Sequence, residues 1–242
     1  MTLTMLFILL TLFFAVKISI ISLLFQDEIK ATLDRDPAAT GPFSVVLTYP
    51  GLHAIVYHRL AHFLYKKKFI FLSRVISQLA RSFTGIEIHA GATIDKGLFI
   101  DHGMGVVIGE TAVLGKNVTL FQGVTLGGTG KEKGKRHPTL GDNVVVGAGA
   151  KVLGDIHIGN NVSVGANAVV IRDVPSHSTV VGVPGRIASR EGKKVPGINL
   201  DHTSLPDPLT QALGKLQDEI DKIEGELKDF GISEDPHKKH KS

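Results

Sequence analysis

Ile88-His-Ala-Gly-Ala-Thr-Ile94-Asp-Lys-Gly-Leu-Phe-Ile100 sets a rhythm in which an aliphatic residue returns every six positions. The frame continues at Ile108, Leu114, Leu120 and Leu126, and again at Leu140, Val146, Val152, Ile158, Val164 and Val170. An α-helix repeats every ~3.6 residues and a two-faced strand every ~2, so neither sustains such a period. A chain that coils with three short flat faces per turn does. The aliphatic residue of each face then points into a prism, and small residues such as Gly109, Gly115, Gly141, Gly147, Gly159 and Gly165 are expected where the backbone turns. The reading is a mainly β fold built as a parallel β-helix.

Hexads of this type resemble those of the left-handed β-helix acyltransferases. The left hand is implied by that resemblance, because the spacing specifies only a coil. The frame breaks twice. Two extra residues fall between Ile100 and Ile108, and a longer excursion, Gly127 to Pro138, separates Leu126 from Leu140. Insertions in a solenoid are extruded on its surface, where repeat proteins carry function.

Outside the coils, residues 1–25 form an apolar segment interrupted by Lys17. It is long enough to span a bilayer, yet no Lys or Arg precedes it and no small-residue cleavage site follows, which argues against a signal peptide. Three readings stay open: an upstream extension from a mis-chosen start codon, a membrane-associated helix, and a helix packed within an oligomer. Residues 26–85 read as a small helical region. A short helix covers Asp27–Leu33, an amphipathic one Gly51–Tyr65 and another Phe71–Phe83, whose Arg74 and Arg81 are expected to solvate its outer face. Pro37 places Asp36 in an extended or turn segment with its carboxylate free.

The coils occupy residues 86–190, and a polar linker, 191–206, follows. Asp207-Pro208 reads as a helix start. Leu209, Leu213, Leu216, Ile220, Ile223, Leu227 and Phe230 then alternate in spacings of four and three, which predicts a C-terminal coiled-coil helix over 207–231 and self-association through it. Residues 232–242 are expected to be a disordered basic tail.

Composition narrows the chemistry. The 242 residues carry a formal net charge of +4, part of it in the terminal basic residues, which leaves no electrostatic footprint for nucleic acid. With no cysteine, disulfides, thiolate catalysis and Cys-ligated zinc are excluded, and a cytoplasmic setting fits. Acyl transfer to a hydroxyl needs a base, a group to orient it and donors for an oxyanion. Four histidines lie near the coil distortions: His89, His102, His137 and His177. His102 stands out, with Asp101 before it and glycines at 103 and 105. The β-helix carbonic anhydrases hold zinc with a His-x4-His pair, and no such pair occurs in these coils, so no metal site is expected.

Gly85-Ile-Glu-Ile-His89, Ile100-Asp-His-Gly-Met-Gly-Val-Val-Ile-Gly-Glu-Thr111, Gly123-Val-Thr-Leu-Gly-Gly-Thr-Gly-Lys131, Lys135-Arg-His-Pro138, Gly147-Ala-Gly-Ala-Lys-Val-Leu-Gly154 and Gly182-Val-Pro-Gly-Arg186 resemble the serine O-acetyltransferase family over roughly residues 27–230. The chain looks like the short form common in Gram-positive bacteria. The resemblance implies transfer of acetyl from acetyl-CoA to L-serine, with acetyl-CoA a co-substrate and no further cofactor. It implies His102 as the general base and Glu87 as its orienting carboxylate, where many relatives carry Asp. It implies Asp36 and Asp101 on the serine ammonium, and Arg136 with His137 on its carboxylate. Backbone near Gly128, Ala148 and Ala166 is expected to meet the pantetheine arm, with Lys131, Lys133 and Lys135 near the CoA phosphates.

Two acids and one arginine suit a zwitterionic amino acid, whereas a sugar acceptor needs neither sign. A sugar O-acetyltransferase and a non-catalytic trimeric scaffold are the rival readings. The resemblance further implies a homotrimer with sites built from two chains. Longer members form dimers of trimers, and their C-terminal Ile enters O-acetylserine sulfhydrylase. This chain ends in Lys241-Ser242, so the resemblance leaves that complex, the hexamer and cysteine feedback unassigned.

Overall fold

The computed structural model describes residues 3–130, 133–190 and 208–229. Lys131, the linker 191–206 and the tail 232–242 lie outside the described residues, as do the side chains of Leu209 and Leu227 and all of Phe230. The chain divides into two compact units, Met1–Leu205 and Pro206–Ser242.

In the first unit, five helices precede the coils: α1 (Leu3–Leu24), α2 (Gln26–Arg35), α3 (Pro42–Thr48), α4 (Pro50–Lys66) and α5 (Ile70–Thr84). The expected helices over 27–33, 51–65 and 71–83 are present and slightly longer. Helix α3 is an addition, started by Pro42 at its first turn. α5 stops at Gly85, whose φ of 72° is left-handed and whose N–H donates to the Arg81 carbonyl at 2.8 Å. A side chain at Gly85 would also collide with the Met104 sulfur, so the helix end is fitted against the second coil. Among the described residues no helix is long and apolar enough to cross a membrane. Side chains at 8–10 and 13–14 of α1 fall outside that set.

The coils stack three sheets into a prism. The first sheet holds Glu87–Ile88, Val107–Ile108, Thr125–Gly127, Lys151–Leu153 and Val169–Val170. The second runs through Thr93–Ile94, Val113–Leu114, Thr139–Leu140 and His157–Ile158, and the third through Phe99–Ile100, Thr119–Leu120, Val145–Val146, Ser163–Val164 and Ser178–Val181. All these pairings are parallel, and Arg186–Arg190 alone adds antiparallel to Ser178–Val181. The thirteen aliphatic residues of the six-residue frame all point inward and are buried. Each hexad also supplies a second inward residue two positions earlier, such as Leu98, Val106, Val118, Val144 and Val162. Burying each such side chain is worth roughly 1.5–3 kcal/mol, which is what holds two-residue strands together.

The glycines of the frame serve a different end from the one their position suggests. A Cβ at Gly115 would strike the Gly141 backbone, one at Gly141 the Asn160 side chain and Gly159 backbone, and one at Gly159 the Ser176 backbone. They let successive coils approach. The left-handed corner positions belong to other residues, among them Asn117, Asn143 and Asn161.

In the second unit, α6 (Pro208–Asp229) exposes Leu213, Leu216, Ile220 and Ile223.

Candidate active site

Two edges of the prism carry the sequence-predicted residues. The first edge lies between the third and first sheets. Four residues turn the corner from Leu120 to Thr125, but six are needed between Ile100 and Val107, and in this longer corner His102 is exposed while Gly103 stays buried. Gly103 N–H donates back to the Asp101 carbonyl at 2.6 Å across His102, whose φ is 55°. A side chain held at positive φ costs about 1–3 kcal/mol, and such strain gathers at functional positions. The imidazole is exposed, and among the described residues neither ring nitrogen is hydrogen-bonded.

Asp36 reaches this edge from the end of α2. Arg35, buried beside it, donates to the carbonyl of Gly97 at 3.2 Å and to Thr119 Oγ1 at 3.2 Å, pinning the helix end to the coils. Asp36 is extended as expected, at φ −108° and ψ 109°, but its carboxylate is not free. Oδ1 accepts from Ala38 N–H at 2.8 Å, and Oδ2 accepts from the Tyr49 hydroxyl at 2.6 Å. Burial raises the Tyr49 hydroxyl to about 12, helped by its bond to Asp36 and by the charges of Asp36 and Asp101. Tyr49 thus bonds Asp36 directly and feels the charge of Asp101, two acids far apart in sequence. Tyr49 is a site residue that sequence reasoning missed, its only signal being the Tyr-Pro-Gly start of α4.

Glu87 sits at the start of the first sheet, beside Val107. Its carboxylate pairs with Arg81 at 3.2 Å, so Arg81 does not merely solvate α5, and the Glu87 charge acts on His89. Among the described residues it makes no bond to His102.

The second edge lies between the first and second sheets and carries the long excursion. Arg136 Nη2 donates to Glu110 Oε2 at 2.5 Å, and the other Glu110 oxygen accepts from the Tyr65 hydroxyl at 3.2 Å. The Arg136 bond is the main reason the Glu110 carboxyl titrates below its ordinary range. Thr111 Oγ1 accepts from the N–H groups of Arg136 at 3.1 Å and His137 at 3.2 Å. The Thr111 N–H lies 3.2 Å from His137 Nδ1 and its hydroxyl 2.9 Å. His137 Nδ1 therefore accepts, and the ring proton stands on Nε2, which packs close to Gly109 and Gly128. Burial first, and then the Arg136 charge, lower the His137 pKa and keep the ring neutral. Lys135 bridges to the Thr111 carbonyl at 2.9 Å and to that of His137. Tyr65 packs edge-on against His89 at 6.0 Å, and burial lowers the His89 pKa. Glu110, Thr111 and Tyr65 were missed by sequence reasoning, although the first two stand inside the Ile100–Thr111 motif.

The cofactor positions divide the same way. Ala148 and Ala166 stack on the His102 edge, where Asn167 N–H donates to the Ala148 carbonyl at 2.8 Å. Gly128 lies on the Arg136 edge, and a Cβ there would sit 3.1 Å from both Arg136 Cγ and His137 Nε2. Within one chain the first sheet separates His102, Asp101 and Asp36 from Arg136, His137 and Gly128. Among the described residues no group of three or more acids and histidines could hold a metal.

The profile of the bacterial transferase hexapeptide family, six repeats, matches residues 137–172. The chain is 57% identical over 204 residues to the serine acetyltransferase of Bacillus subtilis (strain 168), covering 84% of this chain and 94% of that one. The chain belongs to the serine acetyltransferase family. A second member, from Bacillus pumilus (strain SAFR-032), is 55% identical over 210 residues, 87% of this chain and 96% of the relative. Among solved members, the Neisseria gonorrhoeae serine acetyltransferase in complex with serine superposes with a TM-score of 0.67 at 43% identity, covering 71% of this chain and 70% of the other. The fold is accordingly the left-handed β-helix of this family, with a small helical region before the coils and a helix after them.

Proposed function

We propose that the chain transfers the acetyl group of acetyl-CoA to the hydroxyl of L-serine, giving O-acetyl-L-serine and CoA. The observation that carries this reading is the exposed His102 at positive φ, with Asp101 beside it in the chain and Asp36 bonded to Tyr49, whose hydroxyl also feels the Asp101 charge. A serine ammonium satisfies those acids; a sugar hydroxyl would leave them without a charge partner. The His102 imidazole takes the proton from the serine hydroxyl as its oxygen attacks the thioester carbonyl. A tetrahedral oxyanion forms, the carbon–sulfur bond breaks, and the imidazolium returns its proton to the departing thiolate. Glu87 is paired with Arg81, so a part in orienting the base requires it to leave that partner.

Arg136 and the Nε2–H of His137 match a carboxylate, and they stand on the other edge. One serine bridges both groups where the His102 edge of one chain meets the Arg136 edge of a second copy. A closed trimer of prisms, aided by the exposed stripe of α6, supplies three such junctions. CoA release from acetyl-CoA tests the reading. It should depend on L-serine and vanish in His102→Ala; release with sugars but not serine would move the acceptor, and no release at all would leave a scaffold.

A further inference from the structure

From Pro37 to Ile86 the sequence contains no Asp or Glu, yet it carries Arg59, Lys66, Lys67, Lys68, Arg74 and Arg81. Two of these are committed within the fold. Arg59 bonds the carbonyls of Ile94 and Asp95 and pairs with Glu28, and Arg81 pairs with Glu87. Among the described residues Lys66, Lys67, Lys68 and Arg74 make no ion pair with an acid. Lys66 ends α4, Lys67 and Lys68 form the exposed turn that leads to α5, and Lys67 stacks over the Phe63 ring at 5.9 Å.

The same hairpin exposes large apolar side chains. Phe71 is 83% exposed, Phe83 75% and Phe69 60%, with Leu60, Phe63 and Leu79 between them. At the other end of the hairpin this face continues into α1. An apolar groove of about 600 Å³ is walled by Ile18 and Ile21 of α1, by Val56 and Leu60 of α4 and by Phe83 of α5, with Lys17 at its margin. Residues 1–25 likewise carry no acid.

We infer that this helical face docks on an anionic phospholipid surface, with Phe69 and Phe71 entering the headgroup boundary and Lys66, Lys67 and Lys68 lying over the phosphates. Aromatic and aliphatic residues flanked by unpaired lysines are what an interfacial site requires. Each lysine near such a surface adds about fivefold in partitioning. A second copy of this chain is the weaker occupant, because two such faces would bring lysines together with no acid on either side to pair them. The inference stands apart from the acetyl-transfer reading.

Flotation of the full chain with vesicles of phosphatidylcholine, with and without phosphatidylglycerol, tests it. The chain should bind the anionic vesicles at least ~10-fold better than the neutral ones, and added salt should release it. K66E/K67E/K68E should weaken that binding on the order of 100-fold. Phe71→Ser should weaken it while keeping the salt dependence. All these positions are exposed, so circular dichroism and the thermal midpoint should match the parent chain. Equal partitioning of the parent and both variants would overturn the inference. So would self-association in sedimentation velocity, abolished by Phe71→Ser, in a chain that ignores vesicles.

Discussion

Arg136 donates to Glu110 at 2.5 Å, and Glu110 is held from its other side by the Tyr65 hydroxyl. In the proposed reading Arg136 presents a flat fork to the serine carboxylate, and this bond fixes its direction before the substrate arrives. Glu110→Gln keeps the shape and removes the charge. It should raise KM for L-serine about 10-fold, with kcat changed less than about 3-fold and KM for acetyl-CoA unmoved. Steady-state kinetics checks this, and a fall confined to kcat would place Glu110 elsewhere in the reaction.

His102 occupies a positive-φ position, and Asn117, Asn143, Asn161 and Asn167 occupy such positions at other corners. Asn is therefore the replacement that the backbone accepts. His102→Asn should lower kcat by about 10²–10⁴-fold, the usual share of a general base, while the thermal midpoint stays within about 2 °C. A large loss of stability would show that the imidazole supports the fold instead.

Gly109 lies against the His137 ring, and a Cβ there would overlap its Cδ2 and Nε2. Gly109→Ala should push the ring aside at a cost of roughly 1–3 kcal/mol and raise KM for L-serine more than it lowers kcat. Chemical denaturation and kinetics on the same sample separate the two effects.

His58 on α4 is buried, with neither ring nitrogen satisfied among the described residues; it lies near the Ala92 backbone outside hydrogen-bond geometry. Burial pushes its pKa down to about 3, and the neighbouring His62, Arg59 and His89 add to the shift. The unfolded chain binds this proton near pH 6.5 and the folded chain only near pH 3. Stability is therefore full above ~6.5 and falls as pH drops through that window, by up to ~1.4 kcal/mol per unit. His58→Phe should flatten the thermal midpoint against pH between about 6.5 and 4 relative to the parent.

A site shared between copies makes a further statement testable. His102→Asn and Arg136→Ala should each be inactive alone. Unfolded together in equal amounts and refolded, they should recover about a quarter of parental activity, because each junction then has that chance of pairing two intact halves. No recovery would mean that each chain carries its own complete site.

The prism was legible because a period of six has no competitor among helices and strands, and the aliphatic frame from Ile88 to Val170 obeys it. The reason for its glycines was not, since the approach of Gly115 to Gly141 exists only once coils are stacked. The site was legible in part. The motif residues Asp101, His102, Arg136 and His137 could be named, but their distribution over two edges depends on which sheet each hexad joins. Asp36 read as a free turn carboxylate because its partner, Tyr49, lies beyond a helix that no periodicity announced. Glu110 escaped notice because Arg136, which gives it meaning, arrives from the next coil through the excursion.

The final strand, Arg186–Arg190, turns back antiparallel on Ser178–Val181, while α4 and α5 sit on the first coil. A stack of parallel coils ends in two rows of unpaired amides and carbonyls, and either row could template another stack end to end. Reversing the chain over the third sheet at one end and laying a helical hairpin on the first coil at the other covers part of each template. An end that is covered in this way is a poorer template for a second prism, which favours meeting of copies along the sides over open-ended growth.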